Sequence, residues 1–178
     1  MERRSALRTL FLVASGAAII PPALRSAKGT SIALNSLDVD AEMEELLGEY
    51  VETLIPSTDT PGARELNLHL FVLMMVDDCH SKAEQRQFST GLRQINGLAK
   101  NRFGQAFAAC SPKQRQKVLG DMNNKGMVSG EQFAFNAIAR KRTIQGYLNS
   151  EYVMTELSPH KMIPSLYDGY YPARSYGA

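Results

Sequence analysis

The sequence lacks the residue patterns that most often carry catalysis or bind a metal ion or a cofactor. It has no tryptophan and only three histidines, and no two of these stand four positions apart as in a helical metal site. It also has no glycine-rich phosphate loop, no Gly-x-Gly-x-x-Gly fingerprint and no Gly-x-Ser-x-Gly nucleophile turn. These absences predict a chain that is not catalytic by itself and that holds neither a metal ion nor a cofactor.

Two small groups of residues leave an alternative open. The first group consists of His69, Asp77, Asp78 and His80. A helix would bring His69 near Asp77, so one hypothesis is a metal site, and the other is a set of solvated groups at a helix end. The second is Asp59, which has the chemistry of a general base, but the sequence shows no partner group for it.

Cysteine is nearly absent, and the two residues present, Cys79 and Cys110, allow two interpretations. In an oxidising compartment they would form one disulfide that closes a loop of about 30 residues. Each also lies in an apolar setting, where a free buried thiol is common. Cys79-His80 is not a haem attachment site, because Val76 stands where the second cysteine would be needed.

The formal charge of +2 is unevenly distributed. Residues 1–33 contain five basic residues and one acidic residue, whereas residues 34–178 contain fifteen basic and seventeen acidic residues. The body is therefore slightly acidic and has no basic face large enough to favour nucleic acid, so we expect no nucleic-acid partner.

Residues 1–33 are typical of a twin-arginine-type signal segment. Arg3 and Arg4 precede a modest apolar stretch over residues 9–20, which is shorter than the about 20 residues that a membrane-spanning helix needs. We expect a periplasmic protein exported in the folded state by the twin-arginine route. An ordinary N-terminal helix is the alternative, and whether the signal is cleaved near Ser31-Ile32-Ala33 or retained stays open.

Residues 34–178 predict a single all-α domain, a compact bundle of about five helices. Helical spacing of apolar residues marks the first helix over residues 40–54, and the apolar run 66–76 predicts a central helix wrapped by the others. A capping box at Ser81-Lys82-Ala83-Glu84, the pair Ser111-Pro112, and Ser129 or Gly130 predict the starts of three more. In the last helix the residues expected to face the core are Phe133, Ala137, Ile138 and Ile144.

Two irregular segments flank this bundle. Residues 28–38 predict a polar linker after the signal. Residues 152–178 predict an irregular tail rich in tyrosine, proline and glycine, with five of the seven tyrosines of the chain. Because tyrosine combines a large contact area with a polar tip, such a tail either lies across a partner or packs on its own domain.

A stiff loop over residues 55–63 connects the first two helices. Pro56 ends the first helix, and Pro61-Gly62 is a turn pair. Between them lie four residues with short oxygen-bearing side chains that bond nearby backbone amides, namely Ser57, Thr58, Asp59 and Thr60. The loop is either an interhelical corner or a docking or ligand loop.

The last helix carries two unusual features. Arg140-Lys141-Arg142 is either a solvated face or a contact for an acidic partner. Gly146 follows within the same helix, where glycine is about 1 kcal/mol less favourable than alanine. That penalty is acceptable where another group must approach the backbone closely.

Three segments together resemble the gluconate 2-dehydrogenase subunit 3 (gamma subunit) family, over about residues 42–172. In order they are Ile55-Pro56-x-Thr58-Asp59-Thr60-Pro61-Gly62-Ala63, then Thr143-x-Gln145-Gly146-Tyr147-x-x-Ser150-Glu151, then Tyr167-Asp168-Gly169. The Phe-Ile-Asp usually seen after the first segment is replaced by Phe71-Val72, with no acidic residue until Asp77.

The resemblance implies a noncatalytic small subunit of a periplasmic, membrane-associated complex that oxidises a sugar or sugar acid. Its partner would be a glucose-methanol-choline (GMC) type flavoprotein that holds FAD, and a cytochrome c subunit with haem c would take the electrons onward. This chain would assist assembly and would export the flavoprotein through the twin-arginine machinery. The alternative is a stand-alone periplasmic helical binding or structural protein with no redox link.

On this interpretation the candidate partner contacts lie in the three matched segments, and Arg3 and Arg4 belong to the signal. The candidates are Pro56, Thr58, Asp59, Thr60, Pro61, Gly62, Gln145, Gly146, Tyr147, Ser150, Glu151, Tyr167, Asp168 and Gly169.

Overall fold

A computed structural model describes residues 30–158, and within that range the chain forms helices and no strand. The five α-helices are α1 (Ala41–Leu54), α2 (Leu68–Cys79), α3 (Lys82–Phe103), α4 (Pro112–Met122) and α5 (Gly130–Leu148). A short 3₁₀ helix, Phe107–Ala109, lies between α3 and α4, and a π-helical turn, Val153–Leu157, follows α5. The predicted all-α bundle of about five helices is confirmed. The signal pair Arg3-Arg4 and the tail beyond residue 158 lie outside the described residues.

Side-chain caps fix where most of the helices begin. Ser81, Ser111 and Ser129 each accept a hydrogen bond from the backbone amide three residues later, and the Glu or Gln at that position bonds back to the amide of the serine. Asp40 caps α1 by accepting from the amide of Met43 at 2.9 Å. The helix starts predicted at these serines are therefore confirmed.

The core forms where α3 packs against α5 and α1 contacts both helices. Four buried aromatic side chains fill its centre: Tyr50, Phe88, Phe107 and Phe135. The ring of Phe135 packs edge-on against Tyr50, with 4.9 Å between centroids, and lies 5.0 Å from Phe88. These contacts join α1, α3 and α5 into one packed unit.

A buried polar network connects three helices inside this core. The hydroxyl of Tyr50 donates to Asn136 Oδ1, and Asn136 Nδ2 donates to the carbonyl of Met122 at 3.2 Å and to Asn123 Oδ1 at 2.9 Å. Burial raises the pKa of Tyr50 well above its ordinary value, with the positive charge of Arg140 acting in the opposite direction. The phenol therefore stays protonated and keeps its role as a donor.

The predicted inward face of α5 is wrong for two of its four residues, and Ile138 is the one that packs on the core. Ala137 and Ile144 are exposed, and Phe133 and Ile138 are only partly buried. The buried residues are Gln132, Phe135, Asn136, Ala139, Thr143 and Gly146. This face contains polar side chains that find partners inside the protein; for example, the Thr143 hydroxyl donates to the Ala139 carbonyl at 2.7 Å.

The prediction that the apolar run 66–76 is wrapped by other helices is also wrong. The helix in this region, α2, packs on α1 and α5, and the side chain of Met74 on its outer face is 49% exposed. Leu70 and Met74 line a small cavity of about 170 Å³ together with Ile32 and Ala33. The outer apolar face is thus covered in part by the segment that precedes α1.

That preceding segment, residues 30–40, has no helix but is held against the body. The carboxylate of Asp77, at the end of α2, accepts three backbone N–H bonds at 2.6–2.9 Å, from Asn35, Ser36 and Leu37. The Ser36 hydroxyl donates to the same carboxylate at 2.7 Å. The predicted linker is therefore irregular in its backbone but fixed in position from Asn35 to Leu37, and we call these three residues the strap.

Candidate partner-binding site

The 55–63 loop closes on itself at the end of α1. The amide of Ile55 donates to the Val51 carbonyl at 3.0 Å, and the amide of Ala63 donates to the carbonyl of Ile55 at 2.9 Å. At the tip, the amide of Thr58 donates to the Thr60 carbonyl at 3.0 Å. The two ends of the loop are thus adjacent, and the tip is a tight turn.

Glu52, on the last turn of α1, braces the loop from beneath. One carboxylate oxygen accepts from the amide of Ser57, and the other accepts from the amide of Arg64, each at 2.9 Å. Hydrogen bonds to a charged acceptor are stronger than neutral ones, so one side chain holds both arms of the loop. Sequence reasoning missed Glu52; the available signal was its place four residues before Pro56, on the helical turn that faces the loop.

Gly62 is needed because the loop passes so close to this carboxylate. A Cβ atom at Gly62 would lie 2.5 and 2.7 Å from the two oxygens of Glu52 and 2.7 Å from the amide nitrogen of Ser57. Gly62 is buried, whereas residues 56–59 are exposed. The shape of the loop is therefore set from inside, and its exposed tip carries Pro56, Thr58 and Asp59.

Replacing Glu52 with alanine is expected to loosen the loop without unfolding the bundle. The change removes the acceptor for two backbone amides, which corresponds to about 1–3 kcal/mol. Hydrogen exchange at the amides of Ser57 and Arg64 should become much faster, whereas exchange in α3 and α5 should stay unchanged.

The matched control for this experiment is Glu65→Ala. Glu65 is an exposed acidic residue beside the same loop, and its side chain has no hydrogen bond within the described residues. Equal protection of Ser57 and Arg64 in wild type and Glu52→Ala would show that Glu52 does not brace the loop.

An ion-pair network supports the residues that follow the loop. Arg64 bonds to Glu45 and Glu49 of α1, and Arg115 of α4 bonds to the other oxygen of Glu49. The hydrogen bond to Glu45 raises the pKa of Arg64, with burial acting in the opposite direction. Arg115 also donates to the carbonyls of Cys110 and Ala108, at 3.0 and 2.6 Å. The loop is therefore fixed to both α1 and α4.

The second candidate segment, 143–151, packs mostly within the protein. A Cβ atom at Gly146 would lie 2.7 Å from the ring of Phe71 and 3.3 Å from Leu68. The close approach that a helical glycine permits is therefore the approach of α2. Tyr147 packs partly buried against the core.

The polar residues of this segment organise the end of α5. Gln145 accepts a bond from Arg142 at 2.7 Å. The Ser150 hydroxyl donates to the Tyr147 carbonyl at 2.7 Å and accepts from the amide of Val153 at 3.4 Å, which links α5 to the π-helical turn. Glu151 is exposed. The third segment, Tyr167-Asp168-Gly169, lies outside the described residues.

The structure does not assemble the alternative metal site. Asp77 binds the strap, while His69 lies against α1 beside Gly48, where burial is the main cause of its lowered pKa. His80 Nε2 accepts from Arg142, at 3.0–3.2 Å. Among residues 30–158, no three His, Cys, Asp or Glu side chains are grouped as a metal ion requires.

The structure also shows the surroundings of the two cysteines and of Asp59, the candidate general base. Cys79 is exposed and Cys110 is buried, and both are free thiols, so the interpretation as a disulfide is not supported. Asp59 is exposed at the loop tip, and no hydrogen bond joins its carboxylate to another residue of the described range.

These features define an all-α domain that presents a rigid, proline-bounded surface loop braced from within. A family model described as gluconate 2-dehydrogenase subunit 3 matches residues 41–164. The chain belongs to that family, which confirms the resemblance and supports the role of an accessory subunit of a dehydrogenase complex. Comparisons with curated proteins and with solved structures gave no match. In the part of the chain that the structure describes, no helix is both long and apolar enough to cross a membrane.

Proposed function

We propose that this protein is the noncatalytic small subunit of a periplasmic, membrane-associated dehydrogenase complex that oxidises a sugar or sugar acid. It binds a GMC-type flavoprotein that holds the FAD, and a cytochrome c subunit with haem c accepts the electrons. Its signal segment, with Arg3 and Arg4, carries the folded pair across the membrane by the twin-arginine route.

The observation that carries this proposal is membership of the subunit 3 family over residues 41–164. The site geometry adds a physical argument. Glu52 and Gly62 fix the backbone of the loop, and residues 56–59 remain exposed. A surface that is already ordered loses little conformational entropy on binding, which favours docking of a partner over induced folding.

The test is export and co-purification from the native host. A tagged chain is isolated from the periplasm, and flavin absorbance and the bound polypeptides are measured. Wild type is expected to bring down a flavin-containing subunit. The double variant Arg3→Lys, Arg4→Lys is expected to leave both chains in the cytoplasm, because the twin-arginine pair is the recognised signal.

The control for the signal is Arg8→Lys, a conservative change in the same basic region but outside the arginine pair. It should leave export unchanged. A monodisperse, flavin-free monomer from the periplasm would contradict the proposal and would favour the stand-alone helical protein. Normal export of the double variant would contradict the twin-arginine route.

A further inference from the structure

A surface groove of about 320 Å³ lies where the end of α1 meets α4 and α5. Its apolar lining consists of Leu54 and Ile55 at the end of α1, the buried Leu119 of α4 and Ile144 of α5. The rest of the lining is polar or glycine: Thr53, Gln116, Gly120, Asn123 and Arg140. The groove therefore combines apolar side chains from three helices with polar groups. Such a groove is the kind of surface into which a partner inserts an apolar anchor.

The α5 side of the groove displays two large apolar side chains next to Arg140. Ile144 is 43% exposed, and Leu148, one turn further along the helix, is 56% exposed. Residues four apart lie on the same face of a helix, so these two side chains extend the apolar surface beyond the groove. Large apolar side chains that stay together in solvent mark interaction sites more often than scattered ones do.

The groove is lined by residues from both of the described candidate segments, 55–63 and 143–151. Ile55 is the residue directly before Pro56, where the exposed loop begins, and Ile144 is directly before Gln145. Residues about 90 positions apart in sequence thus line one depression, with the rigid loop at its rim. A partner that contacts the loop tip would reach the groove in the same interface.

The charge at the groove indicates the chemistry of its occupant. Of the described residues that line it, Arg140 is the one that carries a charge. Arg140 donates to Asn123 Oδ1 at 3.3 Å and forms no ion pair within residues 30–158, and neither does the exposed Lys141 beside it. The acidic residue of α4, Asp121, is already paired with Arg102. An occupant with a carboxylate next to its apolar side chain would complement this site.

We propose that this groove is the docking site for a segment of the flavoprotein subunit that presents an apolar side chain beside a carboxylate. The apolar side chain packs between Ile55 and Ile144, and the carboxylate pairs with Arg140. This inference rests on the proposed function, because it assumes that the flavoprotein subunit is the partner. It goes further by assigning the contact between the two chains to one surface of this protein.

The test measures the affinity of the full-length chain for the separated flavoprotein subunit by titration calorimetry. Ile144→Asp places a carboxylate in the apolar lining, and Arg140→Glu reverses the charge. Each is expected to weaken binding by about tenfold or more, since an anchor and its charged neighbour dominate such interfaces. Arg140→Glu should also reduce the salt dependence of the affinity, because it removes the attraction that salt screens.

Matched controls lie on another surface. Met127→Asp introduces the same charge at an apolar residue that is 58% exposed and does not line the groove, and Lys125→Glu reverses an exposed charge nearby. Both should bind as wild type does. All four positions are on the surface, so thermal unfolding should confirm that each variant is folded.

The outcomes separate this inference from the proposed function. Failure of the wild-type chain to bind the flavoprotein subunit would overturn both. Wild-type binding with unchanged affinity of Ile144→Asp and Arg140→Glu would overturn the groove and leave the proposed function standing. If deletion of residues 159–178 tightens binding of the chain with Ile144 but not of Ile144→Asp, the tail competes with the flavoprotein segment for the groove, and the inference is supported. Loss of a self-associated form in Ile144→Asp, with its affinity for the flavoprotein subunit unchanged, would show that a second copy occupies the groove and would overturn the inference.

Discussion

Gly91→Ala is expected to lower the free energy of unfolding by about 3 kcal/mol, because it overfills the closest contact between two core helices. A Cβ atom at Gly91 of α3 would lie 2.4 Å from the backbone carbonyl oxygen of Glu131 and 2.5 Å from Cβ of Phe135, both on α5. Neither atom is at the end of a flexible side chain, so α3 and α5 would have to separate. Urea unfolding followed by circular dichroism measures the change.

The matched control is Gly97→Ala in the same helix. A Cβ atom at Gly97 would meet no atom within 4 Å, so alanine should add stability there, by about 0.5–1 kcal/mol, through its helix propensity. Equal effects of the two substitutions would contradict the assignment of Gly91 as the contact point of α3 and α5.

Helix boundaries could be predicted from the sequence because they depend on local chemistry. Ser81, Ser111 and Ser129 bond to amides three residues away, so these caps can be predicted from the local sequence without knowledge of the fold. The 55–63 loop was predicted for the same reason, since Pro56 and Pro61-Gly62 act on their own backbone. The start of α2 at Leu68 rather than near residue 66 depends on Asn67, whose backbone is left-handed with φ 53°.

The side of α5 that faces the core could not be predicted from apolar spacing. Asn136 and Thr143 are buried with hydrogen-bond partners, and Gly146 is buried to admit Phe71. Ile144 is instead exposed beside the groove. Where polar residues are buried and an apolar residue is displayed, hydrophobic periodicity gives the wrong face, and such inversions are expected at functional surfaces.

The roles of Glu52 and Asp77 were likewise not predictable, because their partners are backbone amides that the fold brings to them. Glu52 bonds to amides five and twelve residues away, and Asp77 bonds to amides about 40 residues away. The spacing of apolar residues along the sequence, whether alternating or helical, does not indicate such contacts. Asp77, the first acidic residue after Phe71-Val72, is thus an anchor for the strap.

Asp77→Asn is expected to release the strap and to lower the free energy of unfolding by about 3 kcal/mol at neutral pH, since charge-assisted hydrogen bonds to a buried acceptor are lost. Asp77 is 8% exposed and accepts from Asn35, Ser36 and Leu37. The amide has one acceptor oxygen, and its NH₂ group would face backbone N–H donors. Hydrogen exchange should become fast at the three strap amides.

The pH dependence of stability tests whether the strap is held by the ionised form of the Asp77 carboxylate. Burial alone would raise the pKa of Asp77, but the hydrogen bonds from the strap outweigh it and hold the pKa below its ordinary value. The stabilisation is therefore fully present above the pKa of the unfolded chain, about 3.9, and is lost as the pH falls through the lower folded value. Wild type and Asp77→Asn should differ by a constant amount above about pH 5 and converge in acid.

The neighbouring residue supplies the control. Asp78 is exposed, and its carboxylate has no hydrogen bond within residues 30–158. Asp78→Asn should change the free energy of unfolding by less than about 0.5 kcal/mol and keep the acid sensitivity of wild type. Parallel acid profiles for wild type and Asp77→Asn would show that the strap is held by contacts other than this carboxylate. The apolar residues Leu34 and Leu37, which pack on the core, would then be the remaining anchors.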